Sequence, residues 1–192
     1  MATGRSITEY QRIYIGGYDL SAYAHDAGEQ GVEFEEYENG VCWADAVGGV
    51  LAGKPRVTFG PLVGVFDNTA TTGLHVLSNA AQGTKRYVLL ARGVRAVPAV
   101  GDDVFGGPFY QTKYKSVGKG IVNVQIDFAG IDVVDALLYD EFFGKLVHAY
   151  STTAETAANS SNTPNVDNGA QSLFGGWMMY QIMTITGGAG TA

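Results

Sequence analysis

IVNVQIDF, Ile121 to Phe128, alternates with a period of two: Val122, Val124, Ile126 and Phe128 fall on one face, Asn123, Gln125 and Asp127 on the other. Successive side chains of a strand point to opposite faces, so this pattern describes a strand with one apolar and one wet side. The same logic extends upstream. TKRYVLLARGVRAVPAVGDDVFGGPFYQTKYKSVGKG, Thr84 to Gly120, predicts strands over Arg86 to Arg92 and Val104 to Ser116, with turns at GDD and VGKG; the next strand then spans Gly120 to Ala129. KPRVTFGPLVGVFDN brings Val57, Phe59, Leu62, Val63 and Val65, with Pro61 marking a bulge or an edge position. GVEFEEYE sets Val32, Phe34 and Tyr37 against glutamates, a half-buried strand with one solvated face. RIYIGGYDLSAYA places Ile13 and Ile15 on a short strand, a turn at Gly16-Gly17, and a second extended piece or connector over Tyr18 to Tyr23.

Two segments read as short helices. CWADAVGGVLAG, Cys42 to Gly53, has Ala, Val and Leu at near-helical spacing, weakened by Gly48 and Gly49. NTATTGLHVLSNAA, from Asn68, has Asn68 or Thr69 available as a cap and Leu74, Val76 and Leu77 as apolar contacts. Beyond Gly130, a strand GKLVHAY is expected after a turn at Gly144. Residues 151–172 form a low-charge Ser/Thr/Asn/Ala segment expected to be a long polar loop, and GGWMMYQIMTITG a closing strand apolar on both faces.

Composition agrees with a mainly β chain. Its 192 residues suit one domain, and 27 Gly with 11 Tyr and 9 Phe are glycine turns joined to aromatic strands. Only 16% of residues are charged, against about a quarter in an ordinary domain. Either partner subunits cover much of the surface, or Gly, Ser, Thr and Asn loops supply its polarity. The formal net charge of −7 argues against a nucleic-acid-binding module, although an acidic wall beside passing nucleic acid is compatible with it. The lone Cys42, beside Trp43, reads as a small buried hydrophobe. MATGRSITEYQR is not a secretory signal, and no apolar run is long enough to span a membrane, so synthesis and folding in a reducing cytoplasm are expected.

The residues that could carry chemistry have simpler readings. FDNTATTGLH contains Asp67 and His75, which could orient a base, but no nucleophile turn of the G-x-S-x-G kind is present. Helix capping by Asp67, Asn68 and Thr69 explains the same residues. His25, His75 and His148 lie far apart without metal-type spacing. GGVLAGKP has Pro55 where a phosphate loop needs a hydroxyl, which excludes nucleotide binding of that type. Asp102 and Asp103 sit in a turn that Asp favours for its own backbone hydrogen bonds. Glu29, Glu33, Glu35, Glu36 and Glu38 crowd one short stretch, whereas Lys113, Lys115 and Lys119 crowd another and could face the glutamates of a second subunit. No cofactor, metal site or catalytic set is expected.

RIYIGGYDLSAYA, DAVGGVLAGKPRVTFGPLVGVFDNTATTGLH and KRYVLLARG together resemble the tail tube, or major tail, proteins of tailed bacteriophages, over roughly Arg12 to Gly130. VDNGAQSLFGGWMMYQI is similar to a C-terminal piece of such virion proteins. The resemblance implies a β-sandwich or β-barrel of antiparallel strands with one or two short flanking helices, built as a single tube-forming domain over 1–192 with 1–11 as an N-terminal arm. It implies stacked, hexameric rings around a lumen through which DNA passes, other tail proteins at the tube ends, no membrane partner for the free subunit, and a place in the virion tail after synthesis in the host bacterial cytoplasm. Glu29, Glu33, Glu35, Glu36, Asp102, Asp103, Lys113 and Lys115 are then candidates for lumen or inter-subunit charge, and Ser151, Asn159, Asn162 and Asn168 for inter-ring contacts. A capsid decoration or cement protein, or another β-rich virion component such as a receptor-binding module, is the alternative.

Overall fold

The alternating stretches join shorter segments in a nine-stranded antiparallel sheet in a computed structural model, which describes residues 10–39, 49–70, 73–94, 96–130, 143–148 and 178–180. The strands are β1 (Tyr10–Ile15), β2 (Tyr18–Asp19), β3 (Ala24–Asp26), β4 (Glu29–Asn39), β5 (Gly49–Val65), β6 (Lys85–Gly93), β7 (Asp103–Val117), β8 (Asn123–Gly130) and β9 (Phe143–Lys145); a single helix among the described residues, α1 (Leu74–Asn79), separates β5 from β6. The protein is mainly β.

Strand order is β2-β1-β6-β7-β8-β5-β3, with β4 added to β5 and β9 to β7. This order forces the sheet to curl. Laid flat, seven strands would hold their outer members about 29 Å apart. Yet β2 ends at Asp19 and β3 begins at Ala24, and so short a linker reaches at most about 18 Å. The two margins must therefore approach each other. Hydrogen bonds fix the approach: Leu20 N–H donates to Ile13 C=O at 2.9 Å on one margin, and Val65 N–H donates to Tyr23 C=O at 2.9 Å on the other.

Curling turns one face inward all round. Ile13 and Ile15 of β1, Phe59 and Leu62 of β5, Val88 and Leu90 of β6, Phe105 and Phe109 of β7, and Val124, Ile126 and Phe128 of β8 join Leu20 and Leu74 in one core. Four phenylalanines lie at its centre, with Phe59 ring centroids 5.5–6.0 Å from those of Phe105, Phe109 and Phe128. Each fully buried aromatic or aliphatic side chain contributes about 1.5–3 kcal/mol. The face expected from IVNVQIDF is the face that is buried: Val124, Ile126 and Phe128 point inward.

Several expectations are corrected. The segment Cys42 to Gly53 is not a helix where it is described: Gly49 to Gly53 open β5, because Leu51 and Val50 pair with Tyr37 and Glu38 of β4 and glycines at 48 and 49 favour extension over helix; residues 42–48 lie outside the described residues. Pro61 does mark a bulge, with a register shift between Phe59 and Leu62 beside a cis Gly60–Pro61 bond, but not an edge, since β8 pairs on one side and β3 and β4 on the other. The extended piece over Tyr18 to Tyr23 narrows to Tyr18–Asp19, and Tyr10 and Gln11 of the expected arm already belong to β1. Gly144 lies inside β9 rather than in a turn, because its strand pairs with Asp103–Phe105 of β7 and stops at Lys145. Met178 to Tyr180 carry no strand, and the rest of the expected closing strand and the whole of 151–172 lie outside the described residues.

Candidate assembly surface on the β4–β5 ribbon

Asp67 and His75, the pair that could have oriented a base, do not meet through the carboxylate. The Asp67 side chain accepts the Thr69 N–H at 2.6 Å, and only its backbone carbonyl accepts the His75 N–H, at 3.1 Å. The two hydrogen bonds from Thr69 hold the carboxyl below the ordinary aspartate pKa. Gly73 is the N-cap residue, and no side chain caps α1, so capping by Asn68 or Thr69 is corrected to a side-chain turn at Asp67. His75 is a packing residue: its ring lies 4.4 Å from Phe66 by centroids, and its Nδ1 is hydrogen-bonded to the Tyr114 hydroxyl.

The far end of α1 is held just as firmly. Arg86 Nη1 donates to Leu77 C=O at 3.0 Å and Gln111 Nε2 to Ser78 C=O at 2.5 Å. Side chains from β6 and β7 thus satisfy carbonyls that a helix C-terminus leaves open. Leu74 and Ser78 are buried beneath the helix. α1 is therefore a lid on the core, and burial pushes the Arg86 guanidinium pKa down without neutralising it.

The margins meet over a cleft of about 320 Å³ between β1 and β3, touched by Gln11, Ser21, His25 and Asp26. The Asp26 carboxylate is engaged by the Gly28 N–H at 2.9 Å. Among the described residues, no group of three or more His, Cys, Asp or Glu could hold a metal ion, and no helix is long and apolar enough to cross a membrane.

The unusual surface lies elsewhere. β4 pairs along β5 from Glu29↔Gly60 to Asn39↔Gly49, but β8 accompanies β5 only from Thr58 to Val65. Beyond Val57 the two strands run on as a ribbon with no third strand among the described residues. One ribbon face continues the core face: Phe59 opposite Gln30, then Val57 opposite Val32, Pro55 opposite Phe34, Ala52 opposite Glu36, and Val50 opposite Glu38, so its apolar side chains come mainly from β5. The apolar stripe thus leaves the core and enters solvent, where Phe34 is 43% and Val50 60% exposed. The other face carries Glu33, Glu35, Tyr37, Leu51 and Arg56. There Tyr37 Oη donates to Glu35 at 2.7 Å, which raises the phenol pKa, and Arg56 lies 4.0 Å from Glu35. A register shift between Phe34 and Glu36 leaves Gly53 beneath the Tyr37 ring; a Cβ there would stand 2.4 Å from the ring.

The candidate charges do not form one patch. Glu33, Glu35 and Glu36 are exposed on the ribbon, and Glu29 is exposed at its base. Asp102 accepts the Ala99 N–H at 2.8 Å in a turn, and Asp103 pairs with Lys145. Lys113 pairs with Asp127 at 3.4 Å and Lys115 stands exposed opposite Gln125. Lys113 is ten positions from Asp103 along β7, about 33 Å in an extended strand. Ser151, Asn159, Asn162 and Asn168 lie outside the described residues. Sequence patterning missed the ribbon because its apolar alternation looks like that of a covered strand; only the pairing partners reveal that β8 stops short of it. No protein-family model matches the chain, and no curated protein matches it.

Proposed function

We propose that the chain is a structural subunit that assembles with copies of itself into stacked rings, forming a phage tail tube through which DNA passes. One observation carries this reading: the core face runs out along a two-stranded ribbon and into solvent, with Phe34 and Val50 exposed on that face and Tyr37 and Leu51 exposed on the other. An isolated two-stranded ribbon is marginal in water, and it exposes unpaired strand edges that invite association. Docking on a neighbouring subunit buries the stripe and fills the edge. Because the ribbon and its receptor would be different surfaces, the contact is head-to-tail, which closes into rings when the rotation permits. The net charge of −7 suits a conduit, since an acidic wall repels the DNA backbone and prevents sticking. Electron microscopy of the purified protein tests the proposal. Rings or tubes with a central hole are expected; dispersed monomers, or compact trimers of the kind a capsid decoration protein forms, would refute it.

A further inference from the structure

Beside the cleft where the two margins meet stands an arginine that the fold does not use. Ile13 of β1 and Leu90 of β6 are cross-strand partners. With Leu62 and Ala27 they give the cleft a buried apolar floor. Two positions further along the same strands, Gln11 and Arg92 are partners in turn. Strand alternation keeps both on the face of Ile13 and Leu90. Gln11 lines the cleft together with His25, so Arg92 stands beside its mouth, at the short spacing that separates cross-strand partners. Arg92 is half-buried, and its Nε is buried with no hydrogen-bond partner among the described residues. Buried donors are ordinarily satisfied, so an orphan guanidinium nitrogen next to a cavity calls for an acceptor from outside. The neighbouring charges are already engaged. Arg12, on the opposite face of β1, pairs with Asp19 at 3.0 Å and donates to Ala96 C=O at 2.8 Å. The Ser21 hydroxyl donates to Asp19, and the Asp26 carboxylate accepts the Gly28 N–H.

We propose that this cleft binds a small amphipathic carboxylate of the short-chain fatty acid type, its apolar tail on Ile13, Leu62 and Leu90 and its carboxylate on Arg92 and Gln11. Three features select that ligand. The volume of about 320 Å³ lies at the lower end of small-ligand sites, which span about 300–1,000 Å³, so the occupant is small. The buried floor is aliphatic, which suits a hydrocarbon tail. The guanidinium presents a planar fork of donors that matches a carboxylate, and the Gln11 amide opposite it adds another N–H. A cation fits worse, because Asp26 is committed to its backbone turn and no metal-holding group of three or more His, Cys, Asp or Glu exists among the described residues. The site belongs to the body of the subunit rather than to the ribbon, so the inference stands apart from ring formation.

Calorimetric titration of the full chain with hexanoate, hexanol and acetate tests the site. Hexanoate is expected to bind saturably, one to one. Hexanol, which lacks the charge, and acetate, which lacks the tail, are each expected to bind at least about tenfold more weakly. Arg92→Gln is expected to weaken hexanoate by at least about tenfold and to leave hexanol unchanged. Gln11 is exposed, so Gln11→Glu keeps the fold and serves if Arg92→Gln unfolds. It sets a carboxylate opposite Arg92, supplies the missing acceptor from within, and is expected to abolish hexanoate binding. Circular dichroism establishes that each variant is folded. Arg56→Gln, on the ribbon, removes the same charge elsewhere and is expected to bind hexanoate as the wild type does. Absence of saturable hexanoate binding by the wild type, hexanol bound as tightly as hexanoate, undiminished binding by folded Arg92→Gln or Gln11→Glu, or an equal loss in Arg56→Gln would each overturn the proposal and leave ring formation untouched.

Discussion

Phe59 and Phe34 lie on the same face of adjacent strands, a few residues apart in register, and have opposite fates. Phe59 is 2% exposed at the centre of four packed rings; Phe34 is 43% exposed on a ribbon. Their local sequences are alike, each an aromatic within an alternating strand. What differs is the third strand: β8 lies beside Phe59 and ends before the ribbon. In the proposed reading, folding and association use one face, divided at the point where β8 ends. This division makes distinct predictions for the two halves.

The largest effect is expected within the body. Phe59→Ala removes the central ring and should cost about 3–5 kcal/mol, read by urea denaturation of the subunit. A smaller loss is expected beneath the lid. A Cβ on Gly64 would stand 2.5 Å from Leu74 Cδ2 and 2.7 Å from Tyr23 C=O, where the two margins join. Gly64→Ala should therefore cost about 1–3 kcal/mol by the same assay, and an unchanged midpoint would show that the lid is loosely seated. Gln111→Leu removes the side-chain donor to the buried Ser78 carbonyl, which keeps the Ala81 N–H at 3.2 Å, and should cost about 0.5–1.5 kcal/mol. Backbone hydrogen exchange should then quicken in α1 more than in β8.

The mildest effect concerns pH. The folded Asp67 carboxyl has a lowered pKa, so its contribution is fully present above the unfolded aspartate value near about 4 and is lost as pH falls through the folded value. Asp67→Asn, whose amide oxygen can accept the same Thr69 N–H, should lose this acid dependence while keeping the turn. Matched denaturation curves for the two proteins on either side of about pH 4 check the sign.

How much was legible beforehand follows from which forces are local. The inward face of β8 and the buried Ile13 and Ile15 of β1 were readable because alternation is a local signature of burial, and β6 and β7 were readable as strands. So was the Pro61 bulge. The helix expected over Cys42 to Gly53 fails in its described part because cross-strand pairing of Val50 and Leu51, a non-local contact, overrides a helical spacing already weakened by glycine. The cap at Asn68 or Thr69 fails for a subtler reason: residue type announces a local hydrogen bond, but not whether it serves a turn or a helix end. The charged candidates are exposed apart from the half-buried Asp102, and they are not gathered into one site. Sequence distance does not reveal that Asp103 and Lys113 stand at opposite ends of one strand, or that Lys113 already has Asp127.

The most direct test compares stability and particle size in one protein, Phe34→Ser/Val50→Ser. Both positions are exposed on the ribbon and lie outside the core cluster of the described residues, so the dilute subunit should unfold within about 0.5 kcal/mol of wild type. Light scattering at high concentration should meanwhile show monomer where the wild type is expected to form large particles. Wild-type particles from this variant, or a stability loss approaching that of Phe59→Ala, would contradict the division between a body that folds and a ribbon that associates.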